Sequence, residues 1–453
     1  MSAQTEKLLK GCAKIASLLV IVCVIFALYI TLRSGVIPGL NPYIDNRREE
    51  LVNNVVKENT LSGEIFDSLG NQITKAEEVG KPAKLLFEEC YSHLINYNSN
   101  GLYKKYYNEL RVDKKDHVGA DIQLTTVNDL QEYCYNQLEG KEGSLIVLNS
   151  KTGAILACAS RSSKSQSYNT TVKESVFANI NNFYINRAVM AEDTWGSLIK
   201  IITAASMIEN DMKNYVCDDS SGKVEINGNF IHNHGNDGNS KETDIELALK
   251  ESSNVYFALA SLELGADNYK KTADKFLLGK EIELDFTTLK STFDLGVPGD
   301  KWALAQAAFG QGSVAASPLH GTFIMSAVIN EGKIMKPYMV QNITNNNDTV
   351  YEAKEEVLSK AIEKSTAKAL KDMLHKNAVY YGFDEDTYGK NIYAKTGTAQ
   401  MDETKERFHI YYLVGVETES GEYVVLVSER NTPNGSKTLK GIAKNVVNYV
   451  LAM

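Results

Sequence analysis

Apolar residues are distributed along this chain in three ways, and each predicts a different element. Residues 15–32 contain no charge, a run that just reaches the ~18 residues a membrane-spanning helix requires. Residues 144–149 and 154–159 are two apolar, β-rich runs separated by Ser150-Lys151-Thr152-Gly153, which has the composition of a hairpin turn. Residues 411–416 and 423–428 repeat that arrangement around Ser420-Gly421. Helical spacing governs residues 128–138, with Leu130, Cys134 and Leu138 on one face, and recurs over 198–208, 244–250, 255–265 and, as a closing helix, 437–452.

Between the charge-free run and the first of these helices the chain is polar and rich in Tyr and Asn, and residues 63–71 alternate and turn like a short hairpin. The expected organisation is a tail over 1–14, a transmembrane anchor over 15–33, a small spacer (pedestal) domain over 34–118 and a large domain over 119–453. Strands at both ends of that large domain with helices between them predict an α+β fold, its antiparallel sheet assembled from distant segments and flanked by helices.

Composition narrows the function. The 453 residues are 43% apolar and 23% charged, an ordinary globular balance, and the net charge of −9 carries no basic stripe. Neither a nucleic-acid partner nor a metal or other cofactor is expected, because no arginine-rich helix or metal-spaced Cys/His cluster occurs. Lys7, Lys10 and Lys14 precede the charge-free run, which favours a cytoplasmic N-terminus and places the remainder outside. A cleaved signal would have a shorter apolar stretch ending at a small-residue site, whereas Arg33-Ser34-Gly35 follows here. The six cysteines lack the spacing of a disulfide framework, and Cys158, inside an apolar run, reads as a buried free thiol.

Three short strings carry candidate chemistry: Ser197-Leu198-Ile199-Lys200, Ser252-Ser253-Asn254 and Lys395-Thr396-Gly397-Thr398. Each has impostors in the same chain. S-x-x-K recurs at Ser220–Lys223 and Ser365–Lys368, S-x-N at Ser167–Asn169, and K-T-G at Lys151–Gly153. Context separates them. Ser197 opens an apolar helix, so its first turn offers unpaired N–H groups to a developing oxyanion, and Lys200 at i+3 returns to the same face. Lysine acts as a base only when burial or a neighbouring cation lowers its pKa, and Lys395 is a candidate for that cation. Ser252 and Asn254 fall at a helix junction, suited to relaying a proton and to holding Lys200 or a substrate amide; the plainer reading has them cap the second helix. On a strand over 391–400, Lys395 and Gly397 face one way and Thr396 and Thr398 the other. Lys395 and the two threonines suit a substrate carboxylate, Gly397 admits a substrate backbone, and the N–H groups of Ser197 and Thr398 would form an oxyanion hole.

In that order the strings resemble the transpeptidase domain of penicillin-binding proteins. Gly119-Ala-Asp-Ile-Gln-Leu-Thr-Thr, the hairpin from Gly143, Ile185-Asn186-Arg187-Ala188, Phe309-Gly-Gln-Gly-Ser and Ala316-Ser-Pro-Leu319 are also similar to family segments, and Gly63-Glu-Ile-Phe-Asp-Ser-Leu-Gly-Asn71 resembles the start of the non-catalytic domain of class B members. The resemblance implies a penicillin-binding/serine β-lactamase-like fold and a monofunctional D,D-transpeptidase of cell-wall biosynthesis. Its partners would be peptidoglycan stem peptides, β-lactams that acylate Ser197, and a separate membrane glycosyltransferase, for which the spacer has no room. Two departures stand out: Trp195 where the family usually has proline, and Ala394 where it usually has glycine, both expected to bear on the cleft's shape. The competing functions are a membrane-anchored serine β-lactamase or β-lactam sensor and, in another class, an inactive wall-binding scaffold.

Overall fold

The computed structural model describes residues 17, 19–24, 53–95, 101–113, 115–162, 185–286, 288–401 and 406–453. Most of the anchor expected over 15–32 lies outside these; residues 17 and 19–24 are helical. Among the described residues no helix is long and apolar enough to cross a membrane.

A five-stranded antiparallel sheet organises the molecule. Its strands are β1 (Gly143–Asn149), β2 (Ile155–Arg161), β3 (Ile392–Gln400), β4 (Phe408–Glu417) and β5 (Glu422–Thr432), in the spatial order β3-β4-β5-β1-β2. The two predicted hairpins are present, with Gly153 supplying the positive φ (88°) that closes the β1–β2 turn. What joins them is the long-range pairing of β5 with β1, Val424 opposite Leu148 and Val427 opposite Leu145. Both faces are covered, which explains why the strands read as nearly continuous apolar runs.

Seven helices matter for the site: α1 (Asn128–Gln137), α2 (Lys200–Glu209), α3 (Asn254–Leu264), α4 (Lys301–Phe309), α5 (Pro318–Ile329), α6 (Lys364–Tyr380) and α7 (Lys440–Leu451). All twelve residues of α5 are buried. It packs on β4 and β5 so closely that a Cβ at Gly415 would lie 2.7 Å from the Met325 side chain. α7 packs on the same strands and on α1, burying Ala443, Val446, Val447 and Val450. Residues α2, α3, α4 and α6 contribute form a helical layer beside the edge strand β3.

A second sheet ties the N-terminal region to the rest. Ile65–Phe66 runs parallel to Asp121–Leu124, which pairs antiparallel with Val340–Asn345. The hairpin-like turn expected at 63–71 exists, with Asp67 N–H donating to Asn71 O at 2.9 Å, and its first arm joins this sheet. Buried Asp285 adds a clamp, accepting from the Tyr106 hydroxyl at 2.7 Å and from the N–H groups of Met339 and Val340. The described cysteines are all free. Burial pushes the Cys158 thiol up to about 12, so it is an inert core residue.

Candidate active site

Ser197 does not sit within the first α-helical turn. It lies on a 3-10 turn, Gly196–Leu198, that leads into α2 at Lys200. Gly196 explains the shift: its φ of 54° is left-handed, and a Cβ there would fall 2.3 Å from the Thr398 carbonyl oxygen. Gly310 is packed as tightly: a Cβ there would fall 1.9 Å from Gly196 O, and the Gly196 N–H donates to Gly310 O at 3.1 Å. A Cβ at Gly397 would lie 2.7 Å from Trp195 O. Three glycines therefore let three backbones converge, pinning the half-buried Ser197 against the free edge of β3.

Trp195 has a different role from the one its position suggested. Its indole is buried below the nucleophile turn, donating from Nε1 to Ala316 O at 3.1 Å and packing edge-on to His320 at 5.4 Å. Ala394 is likewise buried. Neither side chain lines the cleft, so both departures are absorbed in the core.

Lys200 is wholly buried and lies among four oxygens. Its Nζ is 2.9 Å from Ser197 Oγ, 2.6 Å from Ser252 O, 2.7 Å from Asn254 Oδ1 and 3.3 Å from Ser252 Oγ. Lys395, also wholly buried, reaches Ser252 Oγ at 3.0 Å and Thr396 O at 3.1 Å. Ser252 thus bridges the two lysines, held by a left-handed backbone (φ 57°) at the α3 junction. Burial and then the Lys395 charge hold Lys200 well below the usual lysine value, with Asp219 opposing them. Burial brings Lys395 down to about 7. No carboxylate hydrogen-bonds to Ser197, Lys200 or Lys395 among the described residues.

The K-T-G strand alternates as its pattern predicts. Lys395 and Gly397 point inward, while Thr396 and Thr398 are half-exposed, and Thr398 Oγ1 lies 3.2 Å from Ser436 Oγ. The structure therefore brings together Ser197, Lys200, Ser252, Asn254 and Lys395, with Thr396, Gly397 and Thr398 on the adjoining strand.

The helix cap belongs to Ser253, whose hydroxyl accepts from Tyr256 N–H at 2.9 Å, leaving Asn254 free to face Lys200. Asn254 Nδ2 donates to His232 O at 2.7 Å, which fixes the amide so that Oδ1 faces the amine. Asn233 and Asp219 stand behind this turn and escaped the sequence reading. Both sit in a stretch of Asp, Ser, Gly and Asn that reads as loop, and only the fold brings it against α3.

The impostor motifs are dispersed. Lys151 lies in the β1–β2 turn paired to Glu422 at 3.1 Å, Ser365 belongs to α6, and Ser220 bonds the adjacent Asp218 at 2.6 Å. Ser167–Asn169 lies outside the described residues.

Residues 143–451 match the model of the penicillin binding protein transpeptidase domain. The chain is 25% identical over 365 residues to penicillin-binding protein 3 of Bacillus subtilis, covering 73% of this chain and 52% of that protein. It is 23% identical over 334 residues to the peptidoglycan D,D-transpeptidase PbpA of Mycolicibacterium smegmatis, covering 69% and 68% respectively. The chain thus spans about half the length of the first of these relatives and about two thirds of the second. Its fold is similar to the D,D-transpeptidase domain of a peptidoglycan glycosyltransferase from Eggerthella lenta, with a TM-score of 0.72, 25% identity, and coverage of 86% of this chain and 99% of that one. It is also similar to penicillin-binding protein A of M. tuberculosis, solved as a ceftriaxone acyl-enzyme, with a TM-score of 0.74, 19% identity, and coverage of 88% and 99%. With the family model extending over most of its length and the serine, both lysines and the bridging turn gathered at one strand edge, the chain belongs to the penicillin-binding protein transpeptidase domain family.

Proposed function

We propose that this chain is a class B peptidoglycan D,D-transpeptidase acting through an acyl-enzyme on Ser197. The observation that carries the reading is the contact of buried Lys200 with Ser197 Oγ at 2.9 Å. Two partners of Nζ, Ser252 O and Asn254 Oδ1, are carbonyl oxygens that only accept. A neutral amine gives its two N–H groups to them and turns its lone pair to the serine hydroxyl.

Ser197 Oγ then attacks the carbonyl of the penultimate D-alanine while its proton passes to Lys200. The oxyanion forms against the N–H groups of Ser197 and Thr398. Breakdown expels the terminal D-alanine, whose amine takes a proton relayed from Lys200 through Ser252 Oγ, which touches both lysines. An amine of a neighbouring stem peptide attacks the acyl-enzyme by the reverse sequence. Thr396, Thr398 and a protonated Lys395 favour the substrate's terminal carboxylate. A β-lactam presents the same carbonyl and carboxylate and leaves Ser197 acylated. A β-lactamase needs a group that activates the deacylating water, and among the described residues no carboxylate bonds to Ser197, Lys200 or Lys395, which supports the transpeptidase reading.

The same proposal takes residues 15–33 as a membrane anchor, 1–14 as cytoplasmic, 34–118 as the non-catalytic pedestal and the catalytic part as lying outside the bacterial membrane. A separate membrane glycosyltransferase would supply the glycan strands. Incubating the full chain with penicillin G, digesting it and mapping the modified peptide by mass spectrometry tests the reaction. The adduct is expected on Ser197, to persist without rapid turnover, and to vanish in Ser197→Ala; an adduct retained in that variant would refute the nucleophile, and rapid release would favour a lactamase.

A further inference from the structure

The Ser252–Asn254 turn must hold two acceptors on Lys200, yet its own sequence provides only a helix cap. A buried carboxylate stands behind it. Asp219 is completely buried, and among the described residues no cation lies within salt-bridge distance of it. Its oxygens accept instead from Ser253 Oγ at 2.7 Å, from Asn233 Nδ2 at 2.9 and 3.0 Å, and from Asn239 Nδ2. A carboxylate only accepts, so this cluster orients every donor facing it.

Asn233 transmits that orientation. With Nδ2 committed to Asp219, its Oδ1 faces α3 and accepts from the N–H groups of Asn254 at 2.8 Å and Val255 at 3.1 Å. Those are orphan donors of the helix start, the first belonging to the same Asn254 whose Oδ1 meets Lys200. Ser253, also bonded to Asp219, is the α3 cap and the middle residue of the turn. We propose that Asp219 is a positioning residue for acyl transfer, which through Asn233 and Ser253 fixes Ser252 and Asn254 at the distances that hold the Lys200 amine toward Ser197. The inference rests on the acyl-transfer reading above and adds a residue to it.

An exchange of partners tests this. Asp219→Asn sets two amides against each other, and Asn233→Asp sets two carboxylates against each other. The double exchange restores one carboxylate and one amide with their places reversed, and a carboxylate at position 233 still accepts from the N–H groups of Asn254 and Val255. Acylation of the full chain by a fluorescent penicillin would be followed at saturation, with each rate expressed per titratable site. Each single variant is expected to lose about 10- to 100-fold, the scale of one charged hydrogen bond, and the double exchange to recover most of the loss. A wild-type rate per site in Asp219→Asn, with only the titratable fraction reduced, would show a merely structural residue and overturn the proposal. So would a double exchange no faster than the single variants, and that comparison stands even if one single variant fails to fold. A wild type that is not acylated at all overturns the acyl-transfer reading itself, a result distinct from a reactive wild type with equally reactive variants.

Discussion

Two buried polar clusters flank the Ser197 turn, and they are built on opposite electrostatic plans. On one side Asp193, just upstream of Ser197, is gripped by Arg430 through two bonds of 2.6 and 2.8 Å and approached by His409 at 3.4 Å, while Glu142 pairs with Arg187 at 3.2 Å. Burial alone would raise the Asp193 carboxyl, but Arg430 and His409 outweigh it and hold the group below its usual value. On the other side Lys200 and Lys395 share Ser252 with no carboxylate bonded to either among the described residues, and burial lowers both. Paired charges stay charged and brace the sheet against the turn. Unpaired lysines give up protons more readily, and on the proposed reading this suits Lys200 to act as the base while a protonated Lys395 faces the carboxylate.

Replacing one lysine and one carboxylate should separate these plans. Lys200→Met is expected to slow acylation by about 10²- to 10⁴-fold, the usual worth of general acid–base catalysis, without lowering the unfolding midpoint, because no buried charge loses a partner. Unchanged acylation kinetics would erase the distinction between the clusters. Asp193→Asn should do the opposite. It takes the two-bond partner from part-buried Arg430 and leaves it Glu142 at 3.9 Å, so denaturant unfolding should register a loss of about 1–3 kcal/mol, while the acylation rate per folded molecule changes far less.

A smaller effect concerns pH. Since Lys395 titrates at about 7 when folded against an ordinary 10.5, the unfolded chain holds a proton between those values that the folded chain does not. Stability should therefore climb as pH rises through that window, with a slope of at most ~1.4 kcal/mol per pH unit, and fall away as pH drops toward 7. Lys395→Met should remove that part of the slope; an identical profile would mean that the ammonium is paired in a way the geometry does not reveal.

The same contrast explains what the sequence disclosed. Ser197, Lys200, Ser252, Asn254 and Lys395 were legible because each lies on or beside an element whose period is clear, and because the rival motifs fall on turns or charged helices. The hairpins of the sheet were legible from their turn residues. That distant strands join in one antiparallel sheet was legible, but the register of β5 against β1 was not, nor was the meeting of Asp193 with Arg430, because each depends on closure between segments more than 200 residues apart. Trp195 was expected to bear on the cleft's shape because sequence gives its position beside Ser197, whereas the fold buries its indole against the Ala316 carbonyl, behind the left-handed Gly196. Asp219 and Asn233 were hidden in loop composition, where polar residues are the rule and carry no periodic signal.

The central claim is that Lys200 is neutral where the enzyme works. Lysine-specific ¹³C labelling, with the Lys200 Cε signal assigned by its loss in Lys200→Met, measures this directly through the pH dependence of that shift. A midpoint well below the ordinary 10.5 is expected. A midpoint at or above 10.5 would leave Lys200 a cation beside Ser197 and contradict the proposal that it is the base.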